Sequence, residues 1–225
     1  MNTLTIQDVL RSVETGRMQS VGLMQVIPLI SELVDDRFVS PAEARMRTIH
    51  YPKVGMEFAN GSDNLLLVPA QTGYVVKMPA QDFALPHAAV VKPNQVQNYH
   101  TAMCIQQTQP GEIPQGNYDF LILPYALRER ALQLRGKVEL NKLWTAIGKF
   151  NQGFGLQNVG NLVRFTDSFT KELDEFVAEF ERVPGQVGAI VLVDGAVVGV
   201  ERAPNHAYWN AIWEPLIRVC YGSLA

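Results

Sequence analysis

Apolar positions along the chain change their spacing several times, and the changes divide it into parts. Near the start, Ile6, Val9, Leu10 and Val13 fall on one helical stripe. Thr5 is placed to cap that stripe and Gly16 to end it, which predicts a short helix from Thr5 to Val13. From residue 20 to 107 the apolar runs shorten to strand length: Leu65 to Val68, Tyr74 to Met78, Ala88 to Val91 and Val96 to Ile105. Turn formers separate them (Asn60-Gly61-Ser62, Pro69, Pro79, Pro86 and Pro93-Asn94), the pattern of an antiparallel sheet or sandwich. Gln109 to Asn117, with two prolines and two glycines, reads as a loop.

Helical spacing takes over from residue 118. Leu140, Leu143, Trp144, Ile147 and Phe150 form one stripe, closed by Gly153 and Gly155. Phe169, Leu173, Phe176, Val177 and Phe180 form a second, which predicts a helix from Ser168 to Arg182 capped by Thr166 or Asp167. Glu172, Glu175 and Glu179 lie on its opposite face, where solvent is expected. Val187 to Val193 and Ala196 to Val200 then flank Asp194-Gly195, the pair that favours a type I′ turn. Their nearly continuous apolar content predicts a hairpin buried on both faces. A last helix from Asn205 carries Tyr208, Trp209, Ile212, Trp213, Leu216 and Ile217 on its apolar side, with a kink expected at Pro215. The expected fold is one α+β domain over residues 1–225. It comprises an N-terminal helix (1–16), a strand-rich part (20–107), a helical part (118–182) and a late buried hairpin with a C-terminal helix (183–225).

Composition narrows the setting. Only 18% of residues are charged and 47% are hydrophobic, against roughly 25% charged in ordinary globular chains. So small a charged surface fits a homo-oligomer, and it fits a compact domain rich in Gln and Asn equally well. A net charge of −3 gives no global attraction to nucleic acid or anionic lipid. The first residues, MNTLTIQDVLRSVETG, lack a basic region followed by an apolar block, and no apolar run approaches the roughly 20 residues that span a bilayer. The expected compartment is therefore the cytoplasm, with no membrane partner, and Cys104 and Cys220 are expected as free, buried thiols.

Candidate chemistry is sparse. If Tyr99 to Gln107 is one strand, His100 and Cys104 stand roughly 13 Å apart, too far for a nucleophile–base pair. His50, His87, His100 and His206 show no metal-ligand spacing, so no metal is expected. Gly185, Gly188 and Gly195 do not make a phosphate loop, and no cofactor is expected. Gln186, polar at the entrance to a buried strand, must find hydrogen-bond partners or face a ligand. Between Tyr125 and Lys149, six basic residues (Arg128, Arg130, Arg135, Lys137, Lys142, Lys149) oppose two acids. Arg128, Arg130, Arg135, Lys137 and Lys142 suit the phosphates of RNA or single-stranded DNA. They suit equally a solvated face, or a surface meeting the acidic 166–181 segment of a second copy.

The run Val183-Pro184-Gly185-Gln186-Val187-Gly188-Ala189 follows an amphipathic acidic helix. It precedes the Asp-Gly hairpin, Val198-Gly199-Val200-Glu201, and a Trp213 helix with Pro215 close behind. That order resembles a bacterial and phage family, the first domain associated with ADP-ribosylglycohydrolases and rhodanese-phosphatases, most strongly over residues 166–225. Upstream, Met103-Cys104-Ile105-Gln106 stands where the family carries Ser-Cys-Val-Glu. Pro69-Ala70-Gln71 and Pro79-Ala80-Gln81-Asp82 lie in the neighbourhood of its Gly-Glu-Glu and Lys-Gln-Asn stretches. The resemblance implies a link to ADP-ribose or NAD metabolism and a nucleotide-like ligand. Neutral glutamines at acidic positions imply loss of any catalysis that needs a carboxylate. The resulting expectation is a ligand-binding protein without an intact catalytic site, with Gln186, Gln106, Cys104 and Glu201 as pocket residues. A nucleic-acid-binding protein and an oligomeric scaffold remain as alternatives.

Overall fold

The computed structural model describes residues 7, 10–49, 55–75, 81–107, 118–135 and 143–225. Its first strands are β1 (Glu14–Thr15), β2 (Gln19–Val21), β3 (Met24–Ile30) and β4 (Phe38–Val39), followed after a 3₁₀ turn at Pro41–Glu43 by β5 (Ala44–Ile49) and β6 (Gly55–Asn60). Next come β7 (Leu65–Val68), β8 (Thr72–Val75), β9 (Phe83–Ala84), β10 (Ala89–Val91), β11 (Val96–Tyr99), β12 (Met103–Cys104) and β13 (Asp119–Ile122). Four helices follow: α1 (Tyr125–Gln133), α2 (Trp144–Gly153), α3 (Val163–Ser168) and α4 (Thr170–Ala178). The chain closes with β14 (Gln186–Val193), β15 (Ala196–Arg202) and α5 (His206–Pro215), which runs into a π-helical turn at Leu216–Tyr221. The fold is α+β, as the alternation of patterns predicts.

Four sheets form. The first has the order β1-β3-β14-β15, with β2 beside β1 on the same edge of β3; the others run β10-β7-β4, β11-β6-β5 and β12-β9-β8-β13. All pairs are antiparallel except β4 with β7. The late hairpin turns at Asp194 (φ 49°) and Gly195 (φ 75°), the two positive values that a type I′ turn requires. It docks on β3 through β14, so the last part of the chain is sealed to the first. Inward residues Met24, Val26, Ala189 and Val191 meet Trp209, Trp213 and Ile217 of the C-terminal helix in one core. A second core gathers Met46, Met56, Phe58, Tyr74 and Phe83 between the small sheets. A third seats α1 and α2 on Ile105 and Leu121 through Leu127, Leu143 and Ile147.

Several expectations change. The run Val96 to Ile105 is not one strand: the chain turns at His100–Thr101, because β11 pairs with β6 while β12 pairs with β9. The helix expected from Ser168 to Arg182 is two helices with a break at Phe169 (φ −116°, ψ 22°), and Thr166 and Asp167 lie inside α3 rather than capping α4. The break has a visible cause, since Phe169 turns in to join Phe154 and Phe165 in an aromatic cluster. The hairpin is not buried on both faces; β14 is interior, but β15 is the terminal strand of its sheet, exposed at Ala196 and Val197 and half-buried from Val198 to Arg202. Pro215 does not simply kink the last helix. Lacking an N–H, it marks where α-helical bonding gives way to the wider π turn. The helix expected from Thr5 to Val13 does not continue through its described end: Gln7 is helical, but Leu10–Ser12 form a turn with Ser12 at φ 59°, and Glu14–Thr15 are strand β1. The rest of that segment lies outside the described residues, as do the 109–117 loop, Leu140 and the end of the Tyr74–Met78 run.

Candidate functional site

Two polar clusters collect the residues of interest. The first exists because β12 pairs with β9 (Met103↔Ala84, Cys104↔Phe83), which brings Gln81-Asp82 against Cys104-Gln106. The Gln81 amide donates to the Cys104 sulfur at 2.6 Å and to the Gln106 carbonyl at 3.2 Å. The Cys104 thiol donates to that same carbonyl at 2.9 Å, and Gln106 Oε1 accepts the Asp82 N–H at 3.3 Å. Cys104, Gln106 and Asp82 are buried. Burial pushes the Cys104 thiol above its ordinary value, more than its hydrogen bonds pull it down. It is thus a protonated donor, not a nucleophile. The described histidines have other partners or none: His87 faces Thr101, His206 faces the Gln186 carbonyl, and His100 Nδ1 makes no hydrogen bond. The nucleophile–base pair is therefore absent here on contacts rather than on strand spacing.

The second cluster joins segments far apart in sequence. Arg128, on α1, donates from Nε to Gln71 Oε1 at 2.7 Å and from Nη1 to Glu201 Oε1 at 2.7 Å. Nη1 also approaches Cys220 Sγ at 3.6 Å. The Tyr221 hydroxyl donates to the same Glu201 oxygen at 2.7 Å. Gln71 returns a bond from its amide to the Arg128 carbonyl at 3.2 Å. It does so from a left-handed backbone (φ 66°), which costs a non-glycine residue about 1 kcal/mol. Burial opposes the charge on Arg128, but the Glu201 carboxylate beside it more than offsets this and holds the guanidinium protonated. Cys220 is pushed up to about 12 by burial, against the pull of Arg128. Gly199 completes the arrangement, because a Cβ there would overlap the Tyr221 hydroxyl.

One open feature among the described residues is a cleft of about 1120 Å³ between α3, α4, α5, the π turn and the edge of β13. Tyr118 and Phe120 supply aromatic wall, and Gln106 links it to the first cluster. Its charged lining is Asp119, Asp167, Asp174 and Glu214 against Arg182 and Arg218, a net −2. Arg218 is bound to Asp174 at 2.6 Å.

The residues singled out from sequence separate in space. Gln186 is buried and used locally, accepting from the Val183 N–H and donating to the Gly188 carbonyl, so it closes the turn into β14. Gln106 and Cys104 share the first cluster, and of the four only Gln106 lines the cleft. Glu201 meets Arg128, which had been grouped with the basic segment. Arg130 is exposed and bonded to Gln133, Arg135 is exposed, and Lys137 and Lys142 lie outside the described residues. Sequence reasoning missed Tyr221, Cys220, Arg182, Asp167 and Glu214. The one local signal was Gly199 beside Glu201 in a strand, a mark of close approach by another group. Both cysteines are free and buried, as expected. Among the described residues no cluster of His, Cys, Asp or Glu is suited to a metal ion, and no helix is long and apolar enough to cross a membrane.

Fold and site together define an α+β protein with internally bonded polar clusters beside an open, mixed-charge cleft. The chain matches the family model of the ARPP-1 domain, the ARG and Rhodanese-Phosphatase-superfamily-associated Protein domain, over residues 12–225, and it belongs to that family. No curated protein and no solved structure matches it.

Proposed function

We propose that the chain is a non-catalytic ligand-binding module of an ADP-ribose- or NAD-linked system, and that the cleft is its binding site. The cleft carries the reading. Its volume, about 1120 Å³, lies just above the usual range of small-molecule sites, about 300–1,000 Å³, and it offers aromatic wall beside Arg182, Asp167 and Glu214. Family membership supplies the ADP-ribose link. The non-catalytic part is supported by Cys104 and Gln106, whose groups are turned to internal hydrogen bonds. A net −2 lining disfavours a pyrophosphate deep in the cleft and favours a neutral or cationic moiety such as a nicotinamide riboside. Calorimetry with nicotinamide riboside, NAD and ADP-ribose tests this. Nicotinamide riboside should bind most tightly, and Asp167→Lys with Glu214→Lys should reverse the order. Absence of heat with all three ligands overturns the reading.

A second reading has its own observation. β15 ends its sheet and pairs on its outer side with no strand among the described residues, and Val197 on it is 61% exposed. Open apolar edges of this kind are where chains associate, which favours a homo-oligomer. A monomer by light scattering at micromolar concentration removes that reading.

A further inference from the structure

The Arg128–Glu201 pair is unevenly used. Glu201 Oε1 accepts from both Arg128 Nη1 and the Tyr221 hydroxyl, whereas Glu201 Oε2 accepts from no group among the described residues. Arg128 uses Nε and Nη1 on Gln71, Glu201 and Cys220, whereas Nη2 donates to no group among the described residues. Neither atom is among the buried polar atoms without a partner, and the two side chains are 26% and 22% exposed. The ion pair therefore keeps one unused acceptor on its carboxylate and one unused donor on its guanidinium, on side chains that are partly exposed. Both are held from behind. Gln71 grips the guanidinium from its left-handed backbone, and Tyr221 holds the carboxylate in a space that exists only because residue 199 has no side chain. A backbone held in a disfavoured conformation and a tightly fixed charged pair are features of preorganised recognition sites.

The geometry points to this pair as a binding site for a planar primary carboxamide. The ligand's carbonyl would accept from Arg128 Nη2 and its amino group would donate to Glu201 Oε2. A carboxylate of the same shape offers two acceptors and a negative charge, so Glu201 would reject it. Tyr221, whose hydroxyl holds Glu201, packs its ring 6.0 Å from that of the half-buried Tyr125, so the ligand's ring would meet aromatic neighbours. The inference goes beyond the cleft reading and does not depend on it, since no residue of this pair lines the cleft.

Nicotinamide and nicotinate are the probes, at millimolar concentration, read by saturation-transfer NMR and by the shift of the Arg128 Nε–H signal. Nicotinamide should bind about tenfold better than nicotinate and alone should move the Arg128 signal. The decisive variant is Glu201→Gln. Its Oε1 would still serve Arg128 and Tyr221, while its amino group would replace the free acceptor with a donor, so the preference should turn toward nicotinate. A preference that arose only from the protein's negative charge would not reverse. If the variant fails to fold, the Arg128 signal in the native chain decides: equal shifts with both probes, or none, overturn the proposal. So does an unchanged preference in folded Glu201→Gln. Cleft variants Asp167→Lys and Glu214→Lys should leave nicotinamide binding here intact, which separates this site from the cleft.

Discussion

Replacing Gly199 with Ala should be among the most damaging single-methyl additions to this chain. An ideal Cβ at position 199 overlaps the Tyr221 hydroxyl and lies 2.8 Å from its ring carbon Cζ and 3.2 Å from Cε1. The end of a flexible side chain could move aside, but Tyr221 is fully buried, with its ring against Tyr125 and its hydroxyl on Glu201. Overpacking a filled core costs about 1–3 kcal/mol. Moving the ring also strips Glu201 of a hydrogen bond to a charged group, about 1.5–3 kcal/mol. The smaller unfolded-state entropy of alanine returns about 0.4–1 kcal/mol. The expected net loss is about 3 kcal/mol, measured from urea unfolding followed by tryptophan emission. Tyr221→Phe removes the overlapping oxygen, so the double variant should lose less than the two single losses combined. A Gly199→Ala chain within about 0.5 kcal/mol of the native one would refute the packing argument.

Arg128→Ala should cost about 2 kcal/mol, between an exposed and a buried ion pair, because both partners are about three-quarters covered; chemical denaturation measures it. Cys220, held up to about 12 against an ordinary 9.0, is a thiol whose folded-state value is raised. Its contribution is complete below about pH 9 and is lost as pH rises toward 12, so the unfolding midpoint should fall over that window and the fall should shrink in Cys220→Ala. Native protein at pH 8 should also resist thiol alkylation at both Cys104 and Cys220, reacting only in denaturant; rapid native labelling counted by mass spectrometry would contradict their burial. Gly160→Ala should destabilise by about 2 kcal/mol, because its Cβ would stand 2.7 Å from the Trp144 backbone Cα, which cannot swing away; a thermal melt reads this.

What the sequence disclosed was local. Asp194-Gly195 announced its turn because two adjacent positive φ values need those residue types, and Asn205 announced a helix start, where its side chain accepts the Tyr208 N–H at 2.8 Å. Non-local choices were hidden. Nothing in the alternation of Val96 to Ile105 shows that its two halves serve different sheets. Nothing in the periodicity through Phe169 shows that its ring leaves the helical stripe for a separate aromatic cluster. The cleft's charge was equally hidden. Glu172, Glu175 and Glu179 make an acidic face in the sequence and are exposed on α4 and at its C-terminal end, whereas the acids that line the cleft come from β13 (Asp119) and from three different helices (Asp167, Asp174 and Glu214).

The fate of Arg128 and Glu201 explains why function was harder to read than fold. Counting charge along the chain assigns Arg128 to a basic run for phosphates, and motif order assigns Glu201 to a ligand pocket. The two lie 73 residues apart and satisfy each other. Gln71, in the neighbourhood where the family carries acidic residues, fits that arrangement as an amide. It accepts from Arg128 Nε and donates to the Arg128 carbonyl, and a carboxylate could do only the first. A glutamate there would set an oxygen against the carbonyl and compete with Glu201 for the same guanidinium. The neutral residue thus leaves Arg128 to Glu201 alone and fixes the pair's orientation. Departure from the family's acidic pattern is, on this account, what keeps Glu201 the carboxylate partner of Arg128 while an amide fixes the guanidinium from the other side.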